Sequence, residues 1–284
     1  MTIEEPAVDG VRAELNYLAR GSRINRRYVA PGAEINTGQY EPHRVLIRNG
    51  RPLQETFTLD RHGFVIARRP TQIADFTDKA EVDARCPGEV VGIVQQLTGA
   101  TRVAPLGWVL RRPAPTSTDV QPPAADVHVD MTHERAHRLA QRLYAEAVPG
   151  GPGFKRFIAS SLWRCFSEPP QDWPLTVCDA ASVDPGEGVP NTLVRVPVLP
   201  EGAALTEELP GEEGLPAAYV FHFSPRHRWW YFPDMTRDEV MLIKFHDSDH
   251  SRAWRVPHSA FRDPTRPAAR ARESIEFRTV AYFE

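Results

Sequence analysis

Proline sets the strongest limit on what this chain can become. Twenty-seven of its 284 residues are proline, and each lacks a backbone N–H and locks φ, which disfavours long helices and central strands where prolines cluster. Clusters such as Pro113-Ala114-Pro115 and Pro264-Thr265-Arg266-Pro267 interrupt any continuous helix. What remains suits short strands joined by irregular loops. Two windows read as helices. Residues 78–99 carry a helical pattern with Gly99 as C-terminal cap, and residues 132–147 place Ala136, Leu139, Ala140 and Leu143 on one face behind the cap Thr132. Strands are expected over 193–199, 218–223, 229–232, 240–245 and 275–283, enough to close a small barrel. Within 44–59, Asn49-Gly50 lies between two extended runs and predicts a tight hairpin. The Glu-, Gly- and Pro-rich stretch 200–216 reads as a surface excursion, a plain solvated loop before a candidate lid.

With 41% hydrophobic residues the chain can bury one large core. A single domain over 41–284, preceded by an N-terminal extension over 1–40, is the expected organisation. A net charge of −3 favours neither nucleic acid nor an anionic membrane as partner and points to a small-molecule substrate. No apolar run approaches the roughly 18 residues that span a bilayer. The acidic start Met1 to Glu5 lacks the basic and apolar regions of a secretory signal, so a cytoplasmic location is expected. Cys86, Cys165 and Cys178 are odd in number and widely spaced, which argues for reduced, buried thiols.

The chemistry-bearing residues begin with His128-Val129-Asp130. Side chains alternate along a strand, so His128 and Asp130 share a face and set an imidazole beside a carboxylate. With ten histidines in the chain, such a pair also arises by chance. Context has to carry the weight. His258, in a short extended run before the terminal strand, is the expected third ligand; His227, His222, His246 and His250 stay open as competitors, the last two within a stretch that reads first as a polar loop. Two histidines and one carboxylate on one face of a metal leave open positions, as in mononuclear non-haem Fe(II) oxygenases. Arg272, fourteen residues after His258, shares a strand face with Ser274, Glu276 and Arg278. A guanidinium and a neighbouring hydroxyl suit the distal carboxylate of 2-oxoglutarate, the alternative being an ion pair of Arg272 with Glu273 or Glu276. Arg164 is a further cosubstrate candidate, against a structural ion pair. His227, Trp229 and Tyr231 are substrate-pocket candidates, although aromatic residues in a strand also serve as core. His133 and His137, four apart on the second helix, read as a solvated face.

Several further pieces belong with these: Thr58-Leu59-Asp60-Arg61-His62-Gly63-Phe64, Leu162-Trp163-Arg164, Pro174-Leu175-Thr176-Val177-Cys178-Asp179, His227-Arg228-Trp229-Trp230-Tyr231, Lys244 with Asp247-Ser248, and Arg272-Glu273-Ser274-Ile275-Glu276. Together with Val127-His128-Val129-Asp130 they resemble the group of gibberellin desaturases, fungal hydroxylase/desaturases and the small subunit of the cephalosporin 7α-methoxylase. The resemblance runs from about Val45 to Phe283 and departs at Cys165-Phe166. It implies a mainly β, double-stranded β-helix (jelly-roll, cupin-like) barrel with flanking helices. It also implies Fe(II), 2-oxoglutarate and O2 as cofactors, with His128, Asp130 and His258 at the ligand positions. Hydroxylation, desaturation or a related oxidative rearrangement of a secondary metabolite is the implied reaction. Two rivals stand beside it: an iron oxidase that uses oxygen without 2-oxoglutarate, and a non-catalytic accessory subunit of a biosynthetic enzyme. A homodimer or a partner biosynthetic enzyme stays open.

Overall fold

The computed structural model describes residues 9–113 and 120–284; the acidic start Met1 to Glu5, together with Ala114 and Pro115, lies outside the described residues. Sixteen strands and two α-helices occur among the described residues. In chain order these are β1 (Gly10–Leu18), β2 (Arg26–Ala30), β3 (Ala33–Asn36), β4 (Tyr40–Asn49), β5 (Phe64–Arg68), α1 (Lys79–Thr98), β6 (Arg102–Arg111), β7 (Val120–Gln121), β8 (His128–Val129), α2 (His133–Ala147), β9 (Arg156–Cys165), β10 (Leu175–Cys178), β11 (Val189–Arg195), β12 (Ala217–Val220), β13 (Trp229–Tyr231), β14 (Glu239–Asp247), β15 (His258–Ala260) and β16 (Ser274–Phe283). Many strands are short, although β4 and β6 run through Pro42 and Pro105 and α1 through Pro87. They form a ten-stranded sheet, β1-β4-β13-β10-β15-β8-β12-β11-β2-β3, and a six-stranded sheet, β5-β14-β9-β16-β6-β7. Both are mixed, with parallel pairs β13–β4, β11–β2 and β6–β7 among antiparallel ones.

Helix boundaries follow the local chemistry. Asp78 accepts from the N–H groups of Ala80 and Glu81 at the start of α1, and Gly99 ends it with φ of 72°, which only glycine adopts without a Cβ penalty. Thr132 caps α2 by accepting from the Arg135 N–H. Helix α1 buries Val82, Cys86, Val90, Ile93 and Val94 against Ile158, Leu162, Leu242, Ile275 and Phe277, the outer face of the six-stranded sheet. Ala136, Ala140 and Tyr144 of α2 pack instead with Phe157, Ala159, Val280 and Tyr282 from the opposite face of that sheet, and with Leu15, Ile47, Val129, Phe221 and Trp229 of the large sheet. That second cluster is the core between the two sheets.

Two expectations are revised, and a third stretch gains detail. Asn49-Gly50 makes no hairpin: β4 runs on into a 3-10 turn over Arg51–Thr56, and Gly50 has an ordinary φ of −85°. Close approach explains the glycine, since a Cβ there would lie 2.7 Å from the Phe232 ring. Residues expected as an N-terminal extension supply β1, β2 and β3 to the large sheet, so the sheet runs across position 40. Stretch 200–216 holds two 3-10 turns pinned by Arg26, whose Nε and Nη2 donate to Glu212 at 3.0 and 2.7 Å.

Gly50→Ala is expected to lower the free energy of unfolding in urea by about 1–3 kcal/mol through overpacking on Phe232. Gly88→Ala, in α1 with nothing within 4 Å of the added methyl, is expected to raise it by about 0.5–1 kcal/mol. Equal effects of the two substitutions would refute the close-approach account.

Candidate metal centre

Register brings the candidate ligands together. Strand β8 pairs with β12 on one side and β15 on the other, and His128 and His258 are direct cross-strand partners with ring centroids 4.4 Å apart. Asp130, next but one after His128, completes the group: its Oδ1 lies 3.2 Å from His128 Nε2 and 3.6 Å from His258 Nε2. All three ligand atoms fall within 4.8 Å of one another. Each imidazole is oriented from behind. His128 Nδ1 sits 2.7 Å from the Asp126 carbonyl and His258 Nδ1 3.0 Å from the Val256 carbonyl. A carbonyl can only accept, so both Nδ1 atoms carry a proton and both Nε2 atoms turn toward the carboxylate.

Charge balance at Asp130 reaches across to the six-stranded sheet. Burial opposes ionisation of Asp130, yet the Arg278 guanidinium and the two imidazoles outweigh it and hold the carboxyl well below its usual range. Burial likewise opposes charge on His128, but the hydrogen bond and charge of Asp130 win and raise its pKa above the ordinary imidazole value. Arg278 Nη2 lies 2.6 Å from Asp130 Oδ2, off the hydrogen-bonding direction, so this buried oxygen keeps an unspent acceptor. Arg278 also donates to Glu276 at 2.9 Å, and Arg111 donates to the two Glu276 oxygens at 3.3 and 3.2 Å. The result is an alternating chain of charges, Arg111 to Glu276 to Arg278 to Asp130.

A cavity of about 360 Å³, including its open mouth, is lined by both histidines, Trp163, Arg111, Glu276 and Arg272, among others. Arg272 is 1% exposed. Its Nη1 donates to the Trp173 carbonyl at 2.8 Å and its guanidinium lies 5.7 Å from the Trp163 ring centroid, while its Nε has no partner. Burial pushes its pKa down to about 10, still high enough to keep the charge at neutral pH. The alternative ion pairs are absent: Glu276 is engaged by Arg111 and Arg278, and Glu273 by Arg112. Ser274 and Ser161 are buried with unpartnered hydroxyls, and Ser161 lines the cavity whereas Ser274 does not. Buried polar groups rarely go unpaired, so this concentration of free donors fits an oxygen-rich ligand. A metal has its own donors here, two Nε2 atoms and a carboxylate oxygen close enough together to share one ion.

Other candidates lie elsewhere. Arg164 alternates with Trp163 and faces α1, where it donates to the Arg69 and Arg237 carbonyls and to Glu89. It is a structural ion pair outside the cavity. His227 spends both nitrogens, Nδ1 on the Tyr17 hydroxyl and Nε2 on Glu187, and Trp229 donates to the same hydroxyl at 2.8 Å. Trp229 is fully buried in the inter-sheet core, and Tyr231 packs edge-on against Phe261, so neither lines the cavity. Tyr231 instead lines a separate, smaller cavity with Gln171, Asp234 and Asp263. His222 bonds the Leu18 carbonyl. Arg111, Trp163 and Ser161 line the cavity without having been singled out for it. The period-two pattern of β9 could have revealed Ser161 and Trp163, which pair with Arg278 and Glu276 across β16.

Residues 15–282 match the family model described as "Oxidoreductase/YMDC permease-like domain". No helix among the described residues is long and apolar enough to cross a membrane. The chain is 37% identical to the hydroxylase/desaturase asaB of Aspergillus flavus, over 95% of this chain and 93% of that protein. It is 33% identical to the hydroxylase/desaturase CTB9 of Cercospora beticola, over 87% of this chain and 78% of that one. A solved structure of the iron and alpha-ketoglutarate-dependent endoperoxidase NvfI superposes with a TM-score of 0.79 at 26% identity, covering 96% of this chain and 97% of that chain. The chain belongs to the oxidoreductase/YMDC permease-like family, among the fungal hydroxylase/desaturases and their relatives.

Proposed function

We propose that this protein is an Fe(II)/2-oxoglutarate-dependent oxygenase of small secondary metabolites, with His128, Asp130 and His258 as iron ligands and Arg272 as the anchor of the cosubstrate. The observation that carries the reading is that one cavity is lined by the two cross-strand histidines and by a buried arginine with no carboxylate partner. Bound iron with 2-oxoglutarate and oxygen supplies oxidation of an unactivated C–H bond, coupled to conversion of the cosubstrate to succinate and carbon dioxide. The protein's own residues do the rest. Arg272 pairs with the distal carboxylate, and Ser274 helps fix its environment through the neighbouring strand position. Trp163, Leu175 and Ile243 line the same cavity and keep water from the reacting atoms. Arg278 keeps Asp130 ionised, and Arg111 keeps Glu276 ionised so that it can hold Arg278. The two sheets are read as the halves of a double-stranded β-helix, in line with the gibberellin desaturase and methoxylase-subunit resemblance. Whether hydrogen abstraction ends in hydroxylation, desaturation or rearrangement is set by how substrate sits above this floor.

Anaerobic addition of Fe(II) and 2-oxoglutarate to the metal-free protein is expected to give the visible charge-transfer band of a chelated cosubstrate. Arg272→Ala is expected to need roughly 10–100-fold more 2-oxoglutarate for the same band, the loss of a charged hydrogen bond worth about 1.5–3 kcal/mol. Iron binding without a band in wild type would favour the oxygen-only oxidase, and absence of iron binding the accessory subunit.

In the metal-free protein the raised pKa of His128 stabilises the fold by an amount fully present below the unfolded imidazole value of about 6.5 and lost as pH rises through the folded value. NMR titration of the His128 ring should therefore give a pKa above that of a free imidazole, and Asp130→Asn should bring it down. An unchanged value in Asp130→Asn would show that the carboxylate is not the cause.

A further inference from the structure

A second group of imidazoles lies outside this centre. The register of β14 slips between Lys244 and His246, a bulge that breaks the alternation of side chains. Phe245 consequently stacks on His258, with centroids 5.8 Å apart, while His246 packs against α2. His246 is fully buried; its Nε2 lies 3.1 Å from His137 Nε2, and its Nδ1 has no partner. His133, the first residue of α2, sits 4.9 Å from the His246 ring, and His250 5.2 Å from it. One nitrogen from each of His133, His246 and His250 falls within 4.8 Å of the other two.

Packing alone does not explain this arrangement. Stacking would account for His250 on Trp254, at 4.5 Å and an interplanar angle of 21°, but a buried imidazole nitrogen without a partner carries a desolvation cost of about 1–3 kcal/mol. A bond between His246 and His137 needs one proton on one of the two Nε2 atoms. With that proton on His246 and donated to His137, His246 Nδ1 keeps its lone pair free for a cation. Nearby Asp247 is engaged by Arg156 and Lys244, leaving a donor set of imidazoles alone. Such a set suits zinc-class transition cations and disfavours magnesium and calcium, which take oxygen. Zn–N bonds of about 2.0–2.1 Å place tetrahedral nitrogen pairs about 3.4 Å apart. Rotation of His250, which is exposed, supplies the closure.

We propose that His133, His246 and His250 form a second site for a divalent zinc-class cation, clamping the start of α2 to the end of β14, with His137 positioning His246 through its Nε2. Its occupancy is independent of the His128, Asp130 and His258 centre.

Equilibrium dialysis of the metal-free protein against zinc alone, with elemental analysis, tests this. Wild type should hold two equivalents per chain, and His250→Ala and His133→Ala one each. His128→Ala/His258→Ala should hold one, lost when His250→Ala is added. His137→Ala should weaken the second site roughly 10–100-fold without removing it. Cobalt substituted for zinc should give visible bands that survive His128→Ala/His258→Ala and disappear when His250→Ala is added to that variant. Zinc stoichiometry unchanged by both His250→Ala and His133→Ala would overturn the proposal, as would a His128→Ala/His258→Ala protein that folds and binds none. A wild type holding one equivalent, lost in His250→Ala and kept in His128→Ala, would support this site while refuting the iron centre.

Discussion

A carboxylate removed from water costs several kcal/mol unless other charges and hydrogen bonds compensate it, and Asp130 meets that constraint by recruiting both sheets. His128 and His258 reach it from the large sheet, Arg278 from the small one. Loss of any of these would leave a buried charge exposed to its own desolvation. The alternating chain from Arg111 through Glu276 and Arg278 therefore ties the position of the small sheet to the ionisation of one side chain. The same arrangement leaves Arg272 over for a ligand, because its natural acidic neighbours are already engaged.

Strand β16 shows how one element divides its duties. Ile275 and Phe277 enter the apolar layer beneath α1, while Glu276 and Arg278 turn into the space between the sheets. Alternation with period two is enough to keep oil on one side and charge on the other. Strand β9, beside it, repeats the division: Leu162 faces α1 and Trp163 faces the cavity. A two-layer protein with a charged site at its centre needs this strictness, since a one-residue slip would send Arg278 into the helix interface and Phe277 into the site.

Much of this was legible in the sequence where the signal is local. Both helices follow from their local patterns, with Gly99 and Thr132 read as caps, and the shared face of Glu276 and Arg278 follows from alternation, although Arg272 lies ahead of the strand and Ser274 outside the cavity. His128 and Asp130 come from the same rule. Long-range facts were not legible. Nothing local says that His258 lies opposite His128, or that β4 runs on past Asn49-Gly50 because Phe232, far along the chain, needs the space. Trp229 and His227 look like pocket residues until Tyr17, from the first strand, claims both. Likewise His133 and His137 read as a solvated helical face because the bulge that delivers His246 is a property of the β14 ladder.

The direct pairing of His128 with His258 has a kinetic side. Their strands are separated in sequence by α2 and six strands, so the site closes only after a large loop has been brought together, a step that is slow because its entropy is lost before its contacts form. Strands β2 and β4 wait even longer for their parallel partners β11 and β13. During synthesis these early strands emerge with open edges, and an open edge pairs readily with a neighbouring chain. How long those edges stay uncovered depends on the order in which the chain is made and paired, not on the stability of the finished fold.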